Sequence, residues 1–227
     1  GAPTTTGSGP YTHTFASGLY SLPSIALEVG MPEVPIFFME SGVRVNSAQL
    51  SFSRSGAANA TLNCIAQGET DAAVTGGGTP TVASLTRFNQ FQGSIKKDGV
   101  QLGNVTGAQL TYTNNLERIE TIRSDGKIDG ADPTIAALTG NIEVRFADTT
   151  LIDAATDNTP LELAFAYTID ADKSLTFTAH EVYLPKPKLA ISGPGGVQAT
   201  FDWQAAKATS PARMLTVVLK NDVASYA

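Results

Sequence analysis

Apolar and polar residues alternate along much of this chain, most sharply between Leu138 and Leu184. Ile142, Val144 and Phe146 interleave with Asn141, Glu143 and Arg145, the period-two pattern of a half-buried strand. Asp148 is placed to cap a short helix over Thr149 to Thr156, with Leu151, Ile152 and Ala155 on one side. Asp157, Asn158 and Pro160 end it. Leu161, Leu163, Phe165, Tyr167 and Ile169 then share one face, and Glu162, Ala164, Ala166 and Thr168 the other. Asp170 to Lys173 turns the chain, after which Leu175, Phe177, Ala179 and Tyr183 repeat the apolar phase. Two adjacent alternating segments predict an antiparallel hairpin with one packed face. Its second face is small and polar, with few of the long side chains that usually cover a solvated sheet.

Other stretches follow the same grammar. Gly1 to Pro10 contains mainly Gly, Pro, Ser and Thr and predicts a flexible arm, taken as residues 1–11 ahead of a single domain over 12–227. Tyr11, His13 and Phe15 form a short strand able to extend a sheet edge, and Ile25, Leu27 and Val29 share a face before Gly30 to Pro35 break the pattern. Val43 to Phe52 and Ala60 to Gln67 predict a hairpin. Its apolar phase slips from odd positions (Val43, Val45) to even ones (Leu50, Phe52), which requires a bulge near Asn46 to Ala48. Asp71 to Thr81, with Gly76 to Gly78, and Asn114 to Thr134 predict long loops. Short strands are expected over Phe88 to Lys96, Val100 to Val105 and Ala108 to Thr113, with Lys97-Asp98-Gly99 as a turn. Pro185 to Lys188 marks an edge or linker, Ser192 to Gly196 a turn, and Val197 to Trp203 and Leu215 to Leu219 the last strands. Trp203 is expected to anchor a core or an interface.

Composition sharpens this picture. With 227 residues, 21 Gly and 12 Pro, the chain suits one β-sandwich or barrel. Charged residues are 16% of the chain against about 25% in an average soluble protein. Two readings fit that deficit: surface covered by neighbouring subunits, or a secreted β-domain rich in Thr and Ser. The net charge of −6 argues against a protein built to grip nucleic acid, though not against one that lets DNA pass without sticking. Cys64 is the one cysteine, so no intrachain disulfide forms, and its alternating context predicts a small core residue. No apolar run approaches a membrane span and no signal peptide is read. Residue 1 is glycine, which leaves room for residues ahead of it.

Catalytic chemistry finds no footing. His13 and His180 are the two histidines, and neither has further ligands at zinc spacing. No Gly-x-Ser-x-Gly elbow is present. Asp125, Asp129 and Asp132 invite a calcium loop, but Lys127 and Ala136 stand where ligands are needed, so a solvated turn is expected. The glycine-rich turns lack the Lys-Ser or Lys-Thr of a phosphate loop. Tyr and Phe fall singly in alternating strands, away from basic faces, and are expected in the core. No cofactor and no metal are implied.

Four stretches together resemble the tail tube (major tail) proteins of long-tailed bacteriophages. They are Tyr11 to Phe15 with Leu22 to Glu28, Gly42 to Ser51 ("G-x-x-V-N-S-hydrophobic-S"), Leu138 to Phe146 with the helix and hairpin behind it, and Pro211 to Asn221. The resemblance implies a mainly β fold: an antiparallel sandwich or partial barrel with one short flanking α-helix. It further implies hexameric rings, stacked into a hollow tube, whose subunits lend strands to a shared inner barrel. The implied partners are other copies of the chain, further tail proteins at the tube ends, and DNA passing through without specific binding. The implied location is the virion, after assembly in the host cytoplasm.

On that resemblance, the candidates for the channel wall are Glu162, Ala164, Ala166, Thr168, Thr176, Thr178 and His180. The family's channel tends to be acidic, which the excess of acids permits. Glu143 is left open between channel and neighbouring subunit. Tyr11, His13 and Phe15 are candidates for contact between subunits or rings. Arg44, Arg54 and Arg145 are candidates for inter-subunit ion pairs, with ordinary surface placement equally open. A structural, self-assembling protein is one function class; a secreted or pilus-like adhesion or binding module is the other.

Overall fold

A computed structural model describes residues 3–79, 85–146, 148–187 and 197–225. The turn expected over 192–196, Gly1, and the end of the loop expected over 71–81 lie outside these residues. In chain order the strands are β1 (Thr4–Thr6), β2 (Tyr11–Ala16), β3 (Ile25–Met31), β4 (Ile36–Phe52), β5 (Ala60–Ile65), β6 (Gly68–Ala72), β7 (Gly93–Lys97), β8 (Val100–Gln101), β9 (Val105–Thr113), β10 (Leu116–Ile119), β11 (Gly130–Pro133) and β12 (Ala137–Arg145). Helix α1 (Thr150–Asp157) follows, then β13 (Leu161–Thr168), β14 (Ser174–Tyr183), β15 (Gln198–Ala206) and β16 (Leu215–Asn221). All pairings among the described residues are antiparallel.

The predicted hairpin is β13–β14, and its second strand serves two layers. Residues 174–179 of β14 lie between β13 and β16, whereas Glu181 to Tyr183 pair with Ala206 to Gln204 of β15. One extra residue makes the transfer possible. Leu163 pairs with Ala179 but Leu161 pairs with Val182, so β14 holds a bulge at His180–Glu181. The bulge also shifts the phase, and Val182 rather than Tyr183 enters the core. One layer runs β1-β2-β16-β14-β13-β7-β8, and the other continues from the end of β14 through β15, β12, β9 and β4 to β3. The sheet is not closed.

The core fills the space between these layers. Phe165 and Tyr167 of β13 meet Phe52 of β4 at ring-centroid distances of 5.3 and 4.9 Å, and Phe165 lies 5.8 Å from Trp203 of β15. Leu110, Leu138, Ile142, Leu163 and Phe201 complete it, all nearly inaccessible to solvent. Leu151 and Ala155 bring α1 onto this core. The Asp148 carboxylate accepts the Thr150 N–H at 3.0 Å, and Asn158 closes the helix with left-handed backbone. The Asp98-Gly99 turn has positive φ at both residues, as a two-residue hairpin loop between β7 and β8 requires.

The slip in β4 is also present: Val45 pairs with Cys64 and Ser47 with Asn63, leaving Asn46 as the extra residue. Asn46 is then used as an anchor. Its Oδ1 accepts the Leu116 N–H at 2.8 Å and its carbonyl the Asn114 N–H at 2.7 Å. The segment 114–134, expected as a plain loop, therefore contains the β10–β11 ribbon. Residues 1–11 differ similarly, because Thr4 to Thr6 pair with Thr14 to Thr12 of β2.

Three further expectations are corrected. Cys64 is exposed, because β5 pairs with β4 alone at a sheet margin and carries no second layer. Phe91 is 88% exposed, since it sits in a 3-10 turn, Gln90–Gln92, rather than in a strand. Tyr20 is exposed as well, outside any strand.

Gly140 sits at the centre of β12. A Cβ there would lie 2.0 Å from the Gln109 carbonyl oxygen and 2.5 Å from the Trp203 ring. Gly140→Ala is expected to cost about 2–3 kcal/mol by overpacking. Chemical denaturation checks this, and a midpoint equal to that of the unmodified chain contradicts the packing described.

Candidate functional site

Every core residue on β13 and β14 dictates an outward neighbour. The register turns that alternation into a continuous face. Ala166, Thr176, Val218 and Thr14 form one cross-strand row, and Ala164, Thr178, Thr216 and Ala16 the next. Thr168, Ser174, Lys220 and Thr12 form a third, and Thr4 and Thr6 extend the face to β1. The fold thus brings Glu162, Ala164, Ala166, Thr168, Thr176, Thr178 and His180 together on one side of the sheet. Sequence reasoning missed the contributions of β16 and β2, whose alternation was visible but whose neighbours were not.

The polar end of this face is held by His180. Its Nδ1 lies 3.1 Å from the Glu162 carboxylate and its Nε2 2.7 Å from the Thr216 hydroxyl, linking β13, β14 and β16. Glu162 also receives support through its backbone, whose N–H donates to Asp98 at 2.8 Å. Charge on the face is sparse and mixed. Lys96, opposite Ala164, and Lys220 accompany Glu162, so the acid excess of the chain is not concentrated here. Lys220 is engaged with the Ala171 carbonyl at 2.5 Å and lies 3.7 Å from Asp172. Glu143 belongs to the opposite layer, exposed beside Gly107.

The remaining candidates are scattered. His13 is fully buried, its ring 2.9 Å from the Thr5 hydroxyl and 2.8 Å from the Val223 carbonyl, so it binds the two chain ends together. Tyr11 and Phe15 are half-buried on the same side of β2. Arg44 donates to the Ala131 carbonyl and lies 3.7 Å from Asp132, tying the β10–β11 ribbon to β4. Arg54 and Arg145 are exposed and form no ion pair among the described residues. The carboxylates of the suspected calcium loop are engaged by Arg123, which bonds Asp125 and Asp129 at 2.8 and 2.9 Å. The Arg123 hydrogen bonds to Asp125, then that of the Lys127 N–H, hold the Asp125 carboxyl well below the usual range. Among the described residues, no group of three or more His, Cys, Asp or Glu is arranged to hold a metal ion.

An open antiparallel sandwich with one short flanking helix is the architecture that the resemblance implies, and direct comparison decides the matter. The profile of the phage tail tube protein family matches residues 1–205. The chain belongs to that family. The phage tail tube family is structural, not enzymatic, and makes this chain a virion component; the adhesion-module reading gives way to it. Among solved structures, the SPP1 tail tube, a hybrid of solid-state NMR and cryo-EM data, is similar at 14% identity. It covers 79% of this chain and 78% of its own, with a TM-score of 0.33. A search of curated protein sequences finds no match.

For this tail tube protein, His180→Ala removes both cross-strand links of the outward face. At roughly 0.5–1.5 kcal/mol per hydrogen bond, the expected loss is about 1–3 kcal/mol. Differential scanning calorimetry is expected to record a Tm lower by about 2–10 °C. An unchanged Tm would remove His180 as a tie between these strands.

Proposed function

We propose that this chain closes into hexameric rings, that the rings stack into a hollow tube, and that DNA passes through it. In this reading the outward face of β13 and β14, extended by β16 and β2, lines the channel. The observation that carries the reading is the composition of that face. Thr, Ala and Ser dominate a surface several strands wide, whose reverse side is the core or its margin. Small side chains suit the wall of a narrow passage. Few free cations leave little for phosphates to hold, because affinity for nucleic acid comes chiefly from Lys and Arg contacts.

The strand edges support the same reading. Among the described residues β1 and β8 each pair with one strand only, so the layer ends there in unpaired backbone groups at both margins. Exposed edges invite pairing with another chain, and a barrel shared between subunits removes them. Such a ring would be assembled in the host cytoplasm and joined at the tube ends by other tail proteins.

Native mass spectrometry and negative-stain microscopy of the purified chain test the assembly. Six-membered rings and hollow filaments are the expected outcome, and a monomer at every concentration would sink the proposal. The channel wall has its own test. Glu162→Lys with Thr168→Lys is expected to slow DNA ejection from assembled particles by adding phosphate contacts, with tubes remaining intact. Unchanged ejection from intact tubes would take this face off the channel.

A further inference from the structure

Strand β4, 17 residues long, carries unpartnered surface beyond each of its ends. At the Ile36 end it forms an arm with β3 and β6. One side of this arm is closed by the loop after β6, where Glu28 accepts hydrogen bonds from Thr75 and the Gly76 N–H. The other side is open. Leu27, Val29 and Met31 are 49%, 49% and 50% exposed there, and Phe38 stands opposite Val29.

Acids flank this stripe. Glu40 lies opposite Leu27 on one side and Glu69 on the other, and Asp71 lies opposite Phe38. Like charges set directly across a sheet are unfavourable. The Glu69 carboxyl is accordingly pushed up by its hydrogen bond with Glu40, then by desolvation and by repulsion from Glu40 and Asp71. No ion pair among the described residues relieves these carboxylates. The complementary chemistry lies past the other end of β4. Arg54 and Arg87 line a groove with Phe88 and the exposed Phe91, and beside it opens a cleft of about 430 Å³ reaching Leu102 and Val105.

The acidic arm and the basic cleft sit at opposite ends of one 17-residue element, which spans at most about 55 Å at ~3.3 Å per residue. We propose that the arm of one copy seats its Leu27–Val29–Met31 stripe against the Phe91 cleft of a second copy, with Glu40 and Glu69 facing Arg54 and Arg87. Because the two surfaces differ, the contact is head-to-tail and propagates instead of ending at a dimer. The apolar stripe supplies most of the attraction, and the charges set register and reject mismatched docking. This deepens the tube reading and rests on it.

Charge reversal in the full chain is the test. Arg54→Glu/Arg87→Glu and Glu40→Lys/Glu69→Lys are each expected to raise the concentration needed for filaments at least tenfold, with unchanged circular dichroism. An equimolar mixture of the two variants is expected to assemble again, because each lysine arm then finds a glutamate cleft and each native arm a native cleft. Rings that close without stacking, or loss of rings altogether, both support the contact and say whether it lies between or within rings. Two variants that polymerise like the unmodified chain, or a mixture that stays unassembled, overturn the docking while leaving the tube reading intact. An unmodified chain that never assembles overturns both.

Discussion

Strand β14 has to belong to two layers, and the bulge at His180–Glu181 is what allows it. Before the bulge, Ala179 and Phe177 look into the core with Leu163 and Phe165. After it, Val182 does so while the backbone is already pairing with β15. Without the extra residue, the phase of the strand would carry Tyr183 inward and Val182 outward, and the corner between the layers would not form. The aromatic stack of Phe52, Phe165, Tyr167 and Trp203 depends on that corner, because its members come from both layers. Gly140 then matters for a purely spatial reason: the Gln109 carbonyl and the Trp203 indole lie where any side chain at this position of β12 would be.

How much of this was legible in the sequence depended on how local each determinant is. The β13–β14 hairpin and α1 follow from alternation and capping within a few residues, and both form near their expected bounds. The Asn46 bulge was readable because a phase slip is itself a local signal. The β10–β11 ribbon was not. Leu116 to Ile119 do not alternate cleanly, their partner strand holds Gly130 and Pro133, and their order comes from Asn46, Arg44 and Arg123, which lie elsewhere in the chain or fold.

Alternation also identifies a face without saying what covers it. Cys64 and Leu62 share the pattern of a buried strand, yet β5 lies beyond the reach of the second layer and leaves both exposed. His13 is the converse case. Flanked by threonines on a short terminal strand, it is nevertheless completely buried, because Thr5 and Val223 close over it from the two ends of the chain. The outward face of β13 and β14 was legible as a set, since strand parity alone groups it. Its width was not, because β2 and β16 join it from opposite ends of the sequence.

The irregularities in β4 have a consequence for how this molecule could be altered. Between Ile25↔Val43 and Leu27↔Glu40 the strand gains one residue near Gly42, whose φ is +62°, and it gains another at Asn46. In a structure of period two, each extra residue is a half-turn phase shifter. An extra residue absorbed as a bulge nevertheless leaves the pairs on both sides of it where they were: Ile25 and Leu27 share one face of β3 although their partners Val43 and Glu40 lie three residues apart. Deleting one residue of the Gly42 segment would therefore straighten β4 while Leu27, Val29 and Met31 kept their side, so this segment is a place where the chain can change length by one residue without turning over what lies beyond it.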